Sequence, residues 1–179
     1  GTVSYDWNGQ TLSMDFGATT FAWNDMLDSY PTATTGTDAQ RQAVATLMKA
    51  CGYALHMTYG LSEDGGSGAY SSDIANVLIN NFSYDVTARY VQREFYSPEE
   101  WEQMIYDNLA DIGPAIYGGH GSLGGHSFIC DGYDTDGLFH INWGWGGTSD
   151  GYFRLSALDP PSLGAGGGAG GFNSQQNAT

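Results

Sequence analysis

Two segments hold the residue types that can move a proton. His126 lies in Gly124-Gly125-His126-Ser127-Phe128, and Asn142 lies in His140-Ile141-Asn142-Trp143-Gly144-Trp145-Gly146-Gly147. They are 142 − 126 = 16 residues apart. An imidazole works as a directed base only when one ring nitrogen is held and the other faces the reactant, and a side-chain oxygen can do the holding. Asn142 offers such an oxygen. An amide-held imidazole is the base half of a thiol-protease site, and a cysteine would be the other half. Glycines at 124 and 125 let a peptide backbone approach closely. Trp143 and Trp145 can keep water off the pair, which strengthens its electrostatics.

Neither cysteine suits the nucleophile's role. A catalytic thiolate is usually stabilised at a helix N-terminus or by a positive neighbour. Cys51 falls at the end of a predicted helix, within its apolar stripe, where the macrodipole opposes a thiolate. Cys130 follows His126 by four residues on one predicted strand. At roughly 3.3 Å per residue that is about 13 Å, whereas direct proton transfer needs about 3 Å. Both read as core residues. His56, His120 and His140 read as structural.

A metal site has little support. His126, Asp131, Asp134 and His140 are possible ligand types, but no Cys-x-x-Cys, His-Glu-x-x-His or acidic twelve-residue loop is present. No Gly-x-Ser-x-Gly elbow marks a serine nucleophile, and the glycine-rich tail lacks the lysine of a phosphate loop. Neither metal nor cofactor is expected.

The elements that would position these residues can be read in outline. The chain has 179 residues, of which 41% are apolar and 14% aromatic, enough for one sizeable core. Its net charge of −15, from 20 acidic and 5 basic residues, argues against a nucleic-acid partner. No apolar run approaches the length of a membrane span. Asn8-Gly9 predicts a hairpin between residues 3–7 and 11–14, and residues 21–27 read as a short helix. A helix begins near Asp38, capped by Thr37 or Asp38. Val44, Leu47, Met48 and Cys51 form its stripe, and Gly52 is its stop. Residues 53–59 alternate like a strand.

A second helix is predicted over 72–81, capped by Ser71 or Ser72, and a strand within 86–95. Ser97-Pro98-Glu99-Glu100 gives the clearest helix start: a cap, a proline at the first helical position and a glutamate three residues after the cap. Strands follow at 114–117, 126–131, 138–143 and 152–155, with a turn at 134–137. Helices followed by an antiparallel sheet give an α+β fold. The stretch from Gly164 to Gly171 reads as a mobile loop.

With these residues in view, the chain resembles the streptopain family of papain-like cysteine peptidases. The resemblance covers nearly the whole chain and is strongest in GGHSFICDGYD, FHINWGWGGTSDGYFRLSALDP and GAGGGAGGFN. LMKACGYALHMTYG and the NFSYD segment before the SPEEW helix also fit. By position, the resemblance implies that His126 is the catalytic histidine. Asn142 is the asparagine preceding the motif tryptophan, and Trp143 is that tryptophan, packed beside the imidazole. Gly125 and Ser67 match cleft-lining positions, and residues 164–171 match a flexible loop bordering the cleft.

The departure is the nucleophile. The family's catalytic cysteine, in a small-residue helix start, and its oxyanion-hole glutamine both lie N-terminal to everything here. The expectation is therefore one partial peptidase domain over residues 1–179 that lacks the nucleophile helix, is inactive alone and stops short of the last strand. The resemblance implies a secreted or cell-surface bacterial endopeptidase acting on proteins or peptides, made as a zymogen with an inhibitory N-terminal pro-segment. Two alternatives remain: a non-catalytic surface binding module on the same scaffold, or another thiol acyl-transfer enzyme such as an amidase or transglutaminase.

Overall fold

Local sequence chemistry sets the start of both long helices. The Thr37 hydroxyl accepts the Gln40 N–H while the Gln40 side chain accepts the Thr37 N–H, which opens α1 (Asp38–Ala54). Ser97 and Glu100 do the same for α3 (Pro98–Asp111), with Pro98 in the first turn. The computed structural model describes residues 1–61, 66–122, 124–161 and 171–179. By contacts the chain gathers into two compact units, Gly1–Val86 and Thr87–Thr179. Each is described by itself.

The first unit opens with the expected hairpin, β1 (Thr2–Trp7) against β2 (Gln10–Asp15). Asn8 and Gly9 have φ of 51° and 75°, the two left-handed positions a two-residue hairpin turn requires. The helix expected over 21–27 is a single 3₁₀ turn, Trp23–Asp25. α1 runs through the expected stop at Gly52. A Cβ there would collide with the Tyr59 hydroxyl, so this glycine serves close packing rather than termination. Met48, expected in the buried stripe, is 68% exposed; the helix instead buries Ala43, Ala50 and Ala54. The strand expected over 53–59 is absent, because α1 extends to Ala54 and His56 sits at φ 49°. Only the bridge Thr58–Gly68 remains. A 3₁₀ turn, Ser71–Asp73, leads into α2 (Ile74–Phe82). Phe82 meets Phe16 and Phe21, and Tyr5 stacks on His56.

The second unit is α3 with a six-stranded antiparallel sheet in the order β3-β8-β4-β5-β6-β7. The strands are β3 (Val91–Gln92), β4 (Ala115–Gly121), β5 (Gly124–Tyr133), β6 (Phe139–Asn142), β7 (Gly151–Phe153) and β8 (Ser174–Ala178). The strand expected within 86–95 is only β3, which runs into a 3₁₀ turn at Arg93–Phe95. At the β5–β6 turn, the Asp134 carboxylate accepts the N–H groups of Asp136 and Leu138, and Gly137 takes φ 75°.

α3 lies against β4 and β5 and contributes Trp101 and Ile105 to a core with Tyr117, Phe128, Cys130, Ile141, Trp143, Leu155, Leu158 and Phe172. A polar chain threads this core. Trp101 Nε1 donates to the Tyr117 hydroxyl, which donates to Gln176 Oε1, and Gln176 Nε2 donates to the carbonyls of Leu155 and Phe172. Every buried group of that chain has a partner, as burial demands. Burial drives the Tyr117 phenol far above its ordinary pKa, so it stays a donor.

Candidate active site

Strand register decides which side chains meet. On β5, His126, Phe128 and Cys130 project to the core face. Their partners on β4 are Gly119, Tyr117 and Ala115. On β6, Phe139 and Ile141 are buried, and Trp143 continues that face. Residues paired across an antiparallel ladder project to the same side, and successive residues alternate. Asn142 pairs with Ile129, three residues from His126, so the two point to opposite faces.

The register therefore corrects the expected amide clamp. Asn142 Oδ1 accepts the Gly144 N–H at 2.9 Å. The oxygen on the imidazole is the main-chain carbonyl of Trp143, 2.8 Å from His126 Nε2. Carbonyl oxygen only accepts, so Nε2 carries a proton, and in the neutral ring Nδ1 holds the lone pair. Asn142 acts one residue removed: it fixes the turn into Gly144, at φ 75°, and with it the carbonyl that holds the ring.

Trp143 is anchored at three points. Its N–H donates to Asp150 Oδ1, its indole N–H donates to the Ser149 carbonyl, and its side chain is fully buried. Its ring packs on Phe128 at 4.6 Å between centroids. The ring stacked on the imidazole is Trp145, at 5.0 Å and 21°. The expectation had Trp143 beside the imidazole; its carbonyl is there, while its indole lies behind Trp145.

Phe172 and Gly119 complete the surround, and composition gave no signal for either. Gly119 stands opposite His126, and a Cβ there would run into the Phe172 carbonyl. Phe172 occupies that space, 5.4 Å from the imidazole centroid. The glycine thus makes room for a wall of the site.

The remaining candidates are Gly125 and Ser67. Gly125 is exposed and pairs with His120, whose ring a Cβ at 125 would crowd to 2.7 Å. Ser67 belongs to the first unit, where its exposed hydroxyl donates to the Gly60 carbonyl and accepts the Gly60 N–H at long range. The stretch 164–171 lies outside the described residues except for Gly171.

Cys51, half-buried in the last turn of α1, has its thiol pushed up by burial. Cys130 is fully buried, and burial, helped by Asp131, pushes its thiol up to about 12. Neither setting favours a thiolate. His140 Nδ1 meets Asp131 Oδ1 at 2.5 Å on the opposite face of the sheet. Among the described residues no group of three or more His, Cys, Asp or Glu side chains is placed to hold a metal, and no helix is long and apolar enough to cross a membrane.

The sequence pattern described as "Peptidase C10 family" matches residues 1–153. Streptopain of Streptococcus pyogenes is 42% identical over 158 residues, 88% of this chain and 38% of streptopain. The thiol protease/hemagglutinin PrtT of Porphyromonas gingivalis is 41% identical over 135 residues, 75% of this chain and 15% of PrtT. The chain therefore spans well under half the length of these relatives. Among solved structures, active wild-type interpain A cysteine protease of Prevotella intermedia superposes with a TM-score of 0.86 at 38% identity, covering 99% of this chain and 72% of interpain A. A prointerpain A fragment from the same organism gives 0.79 at 36% identity, covering 99% of this chain and 55% of the fragment.

Proposed function

The chain belongs to the peptidase C10 family, and on that premise we propose that it supplies the base half of a cysteine endopeptidase. The observation that carries the reading is the Nε2 contact to the Trp143 carbonyl, which leaves Nδ1 of a half-buried imidazole to take a proton. The thiol comes from a cysteine outside the 179 residues, since Cys130 is fully buried in the core and Cys51 lies in the last turn of α1, where the macrodipole opposes a thiolate.

In the complete enzyme, His126 Nδ1 takes the thiol proton and the thiolate attacks the peptide carbonyl. The imidazolium then returns that proton to the leaving amine as the C–N bond breaks. Water, deprotonated by the same nitrogen, cleaves the thioester and restores the thiol. Asn142 and Trp143 act as positioning residues through the 143 carbonyl, and Ser67 and Gly125 line the peptide path. No cofactor enters the reaction. The substrates are proteins or peptides, the enzyme acts outside a bacterial cell, and it is held inactive by an N-terminal pro-segment until cleavage. The bacterial sources of streptopain and interpain A, and the existence of a prointerpain A, support that part.

The test joins residues 1–179, at their N-terminus, to the streptopain segment that carries the family's catalytic cysteine. The isolated chain is expected to hydrolyse no peptide amide above background, and the chimera to turn over with sensitivity to thiol reagents. His126→Ala in the chimera removes turnover by at least about 10³-fold. A chimera that binds peptide without cleaving it would support a binding module, and one that acts only on small amides would support an amidase. Near-normal turnover by His126→Ala would overturn the assignment of the base.

A further inference from the structure

Resting on the endopeptidase reading, we propose that the pocket between α3 and the β5–β6 turn is an exosite that takes an arginine side chain of a polypeptide substrate. The pocket has a volume of about 420 Å³. It is lined by Tyr106 of α3, Tyr133 at the end of β5, Asp134, Thr135 and Gly137 of the turn, and Phe139 of β6. Phe139 is buried, whereas Tyr106 and Tyr133 are 40% and 39% exposed. Their rings meet at 4.4 Å between centroids and 53°. A tyrosine pair that only fastened α3 to the sheet would fill this space; here the pair borders it. Such a wall suits a guanidinium, which is flat, weakly hydrated and stacks on rings, and whose methylenes pack on apolar surface.

The charge around the pocket selects a cation. Asp111 ends α3, in a turn that holds no basic residue. The helix carbonyls already place negative charge there, so Asp111 adds to a like field instead of offsetting it. That field reaches the pocket: the Tyr133 phenol is pushed up, first by its hydrogen bond to Tyr106 and also by the charge of Asp111. Asp134 is held at the rim by the two N–H groups its carboxylate accepts. Among the described residues no lysine or arginine lines the pocket. An anion would be repelled, and a neutral apolar side chain would desolvate carboxylates without pairing them. Arginine brings five donors for these oxygens. Tyr133 lies on the same strand as His126, 133 − 126 = 7 residues on, roughly 20 Å away. An extended polypeptide spans that in about six or seven residues.

The test has two arms. In residues 1–179, a capped Gly-Arg-Gly peptide should move the Tyr106 and Tyr133 ring signals in NMR saturably, with Kd in the millimolar range. The same peptide with uncharged citrulline should bind at least about fivefold more weakly, and so should the peptide with Asp111→Asn, a change at an exposed position. No movement of these signals overturns the proposal, whatever the chimera does. Equal binding of Gly-Lys-Gly overturns the choice of arginine, and shifts that follow protein concentration without peptide overturn it in favour of a second copy of the chain. In the chimera, two substrates share one scissile sequence and carry an arginine about seven residues before or after it. At least one should show KM about five- to tenfold below its citrulline counterpart, with kcat within about twofold. Tyr106→Ala should abolish that difference and leave turnover of a short substrate unchanged. A KM advantage that survives Tyr106→Ala and Asp111→Asn overturns the proposal. The base assignment is judged separately: a chimera that cleaves nothing sinks that reading, while binding of Gly-Arg-Gly to residues 1–179 is still measured.

Discussion

The two compact units bury different things. Among the described residues of Gly1–Val86 the buried apolar side chains are alanines at 43, 50, 54 and 75, while Trp23, Met48, Leu61, Tyr70 and Val86 are exposed. In Thr87–Thr179 the core holds Trp101, Tyr117, Phe128, Trp143 and Phe172, threaded by a fully paired polar chain. Small residues let helix and hairpin approach closely but fix few side-chain orientations, whereas interlocked large rings fix many. The imidazole lies in the second kind of setting. It is gripped through one nitrogen, one face and one edge wall, which is the precision a base needs and an alanine-lined helix cannot give.

This contrast can be broken or sharpened by substitution. The largest effect is expected at Trp143→Ala, a loss of about 3–5 kcal/mol in urea unfolding. A loss under about 1 kcal/mol would mean that the second core does not hinge on this ring. Gln176→Ala should follow at about 2–3 kcal/mol, because the Tyr117 hydroxyl and two carbonyls lose their partner. An unchanged midpoint would show the polar chain to be incidental.

In the first unit, Ala50→Leu should cost about 1–3 kcal/mol by overpacking, and Met48→Ala should stay within about 0.5 kcal/mol; the reverse order would put the buried stripe where the sequence first suggested. At the α3 cap, Ser97→Ala should cost about 1 kcal/mol. The Ser97 N–H holds the Glu100 carboxyl below its ordinary range. That contribution is complete above the ordinary glutamate pKa and is lost as pH falls through the lowered one. Glu100→Gln should therefore flatten the acid limb of the stability curve, and an unaltered limb would detach the cap from acid sensitivity.

Features fixed by neighbours in sequence were legible. Thr37 with Gln40, Ser97 with Pro98 and Glu100, and Asn8 with Gly9 specify their ends and turns within four residues. Features fixed by register were not. Nothing in residues 126–142 reveals the extra residue that β5 carries between Cys130 and Gly132, so the pairing of Asn142 with Ile129 could not be counted out. β8 was invisible because Ser174-Gln175-Gln176-Asn177-Ala178 has no apolar alternation; pairing with β4 and the bonds of Gln176 make it a strand. Met48 shows the limit of periodicity, which marks a face of α1 without saying which edge of that face is covered.

The irregularity in β5 has a consequence for how the hairpin can vary. Up to Cys130 the even-numbered side chains look inward; past it Tyr133 shares the inner side with Phe139, so the parity has switched. Asp131 takes up the difference. Adding or removing one residue within the paired part of either strand would turn the rest of that strand inside out, unless it loses or gains a kink in step. Changes of two would leave the parity untouched. Homologues should therefore differ within the paired parts of this hairpin by even numbers, or carry odd differences matched by a gain or loss at position 131.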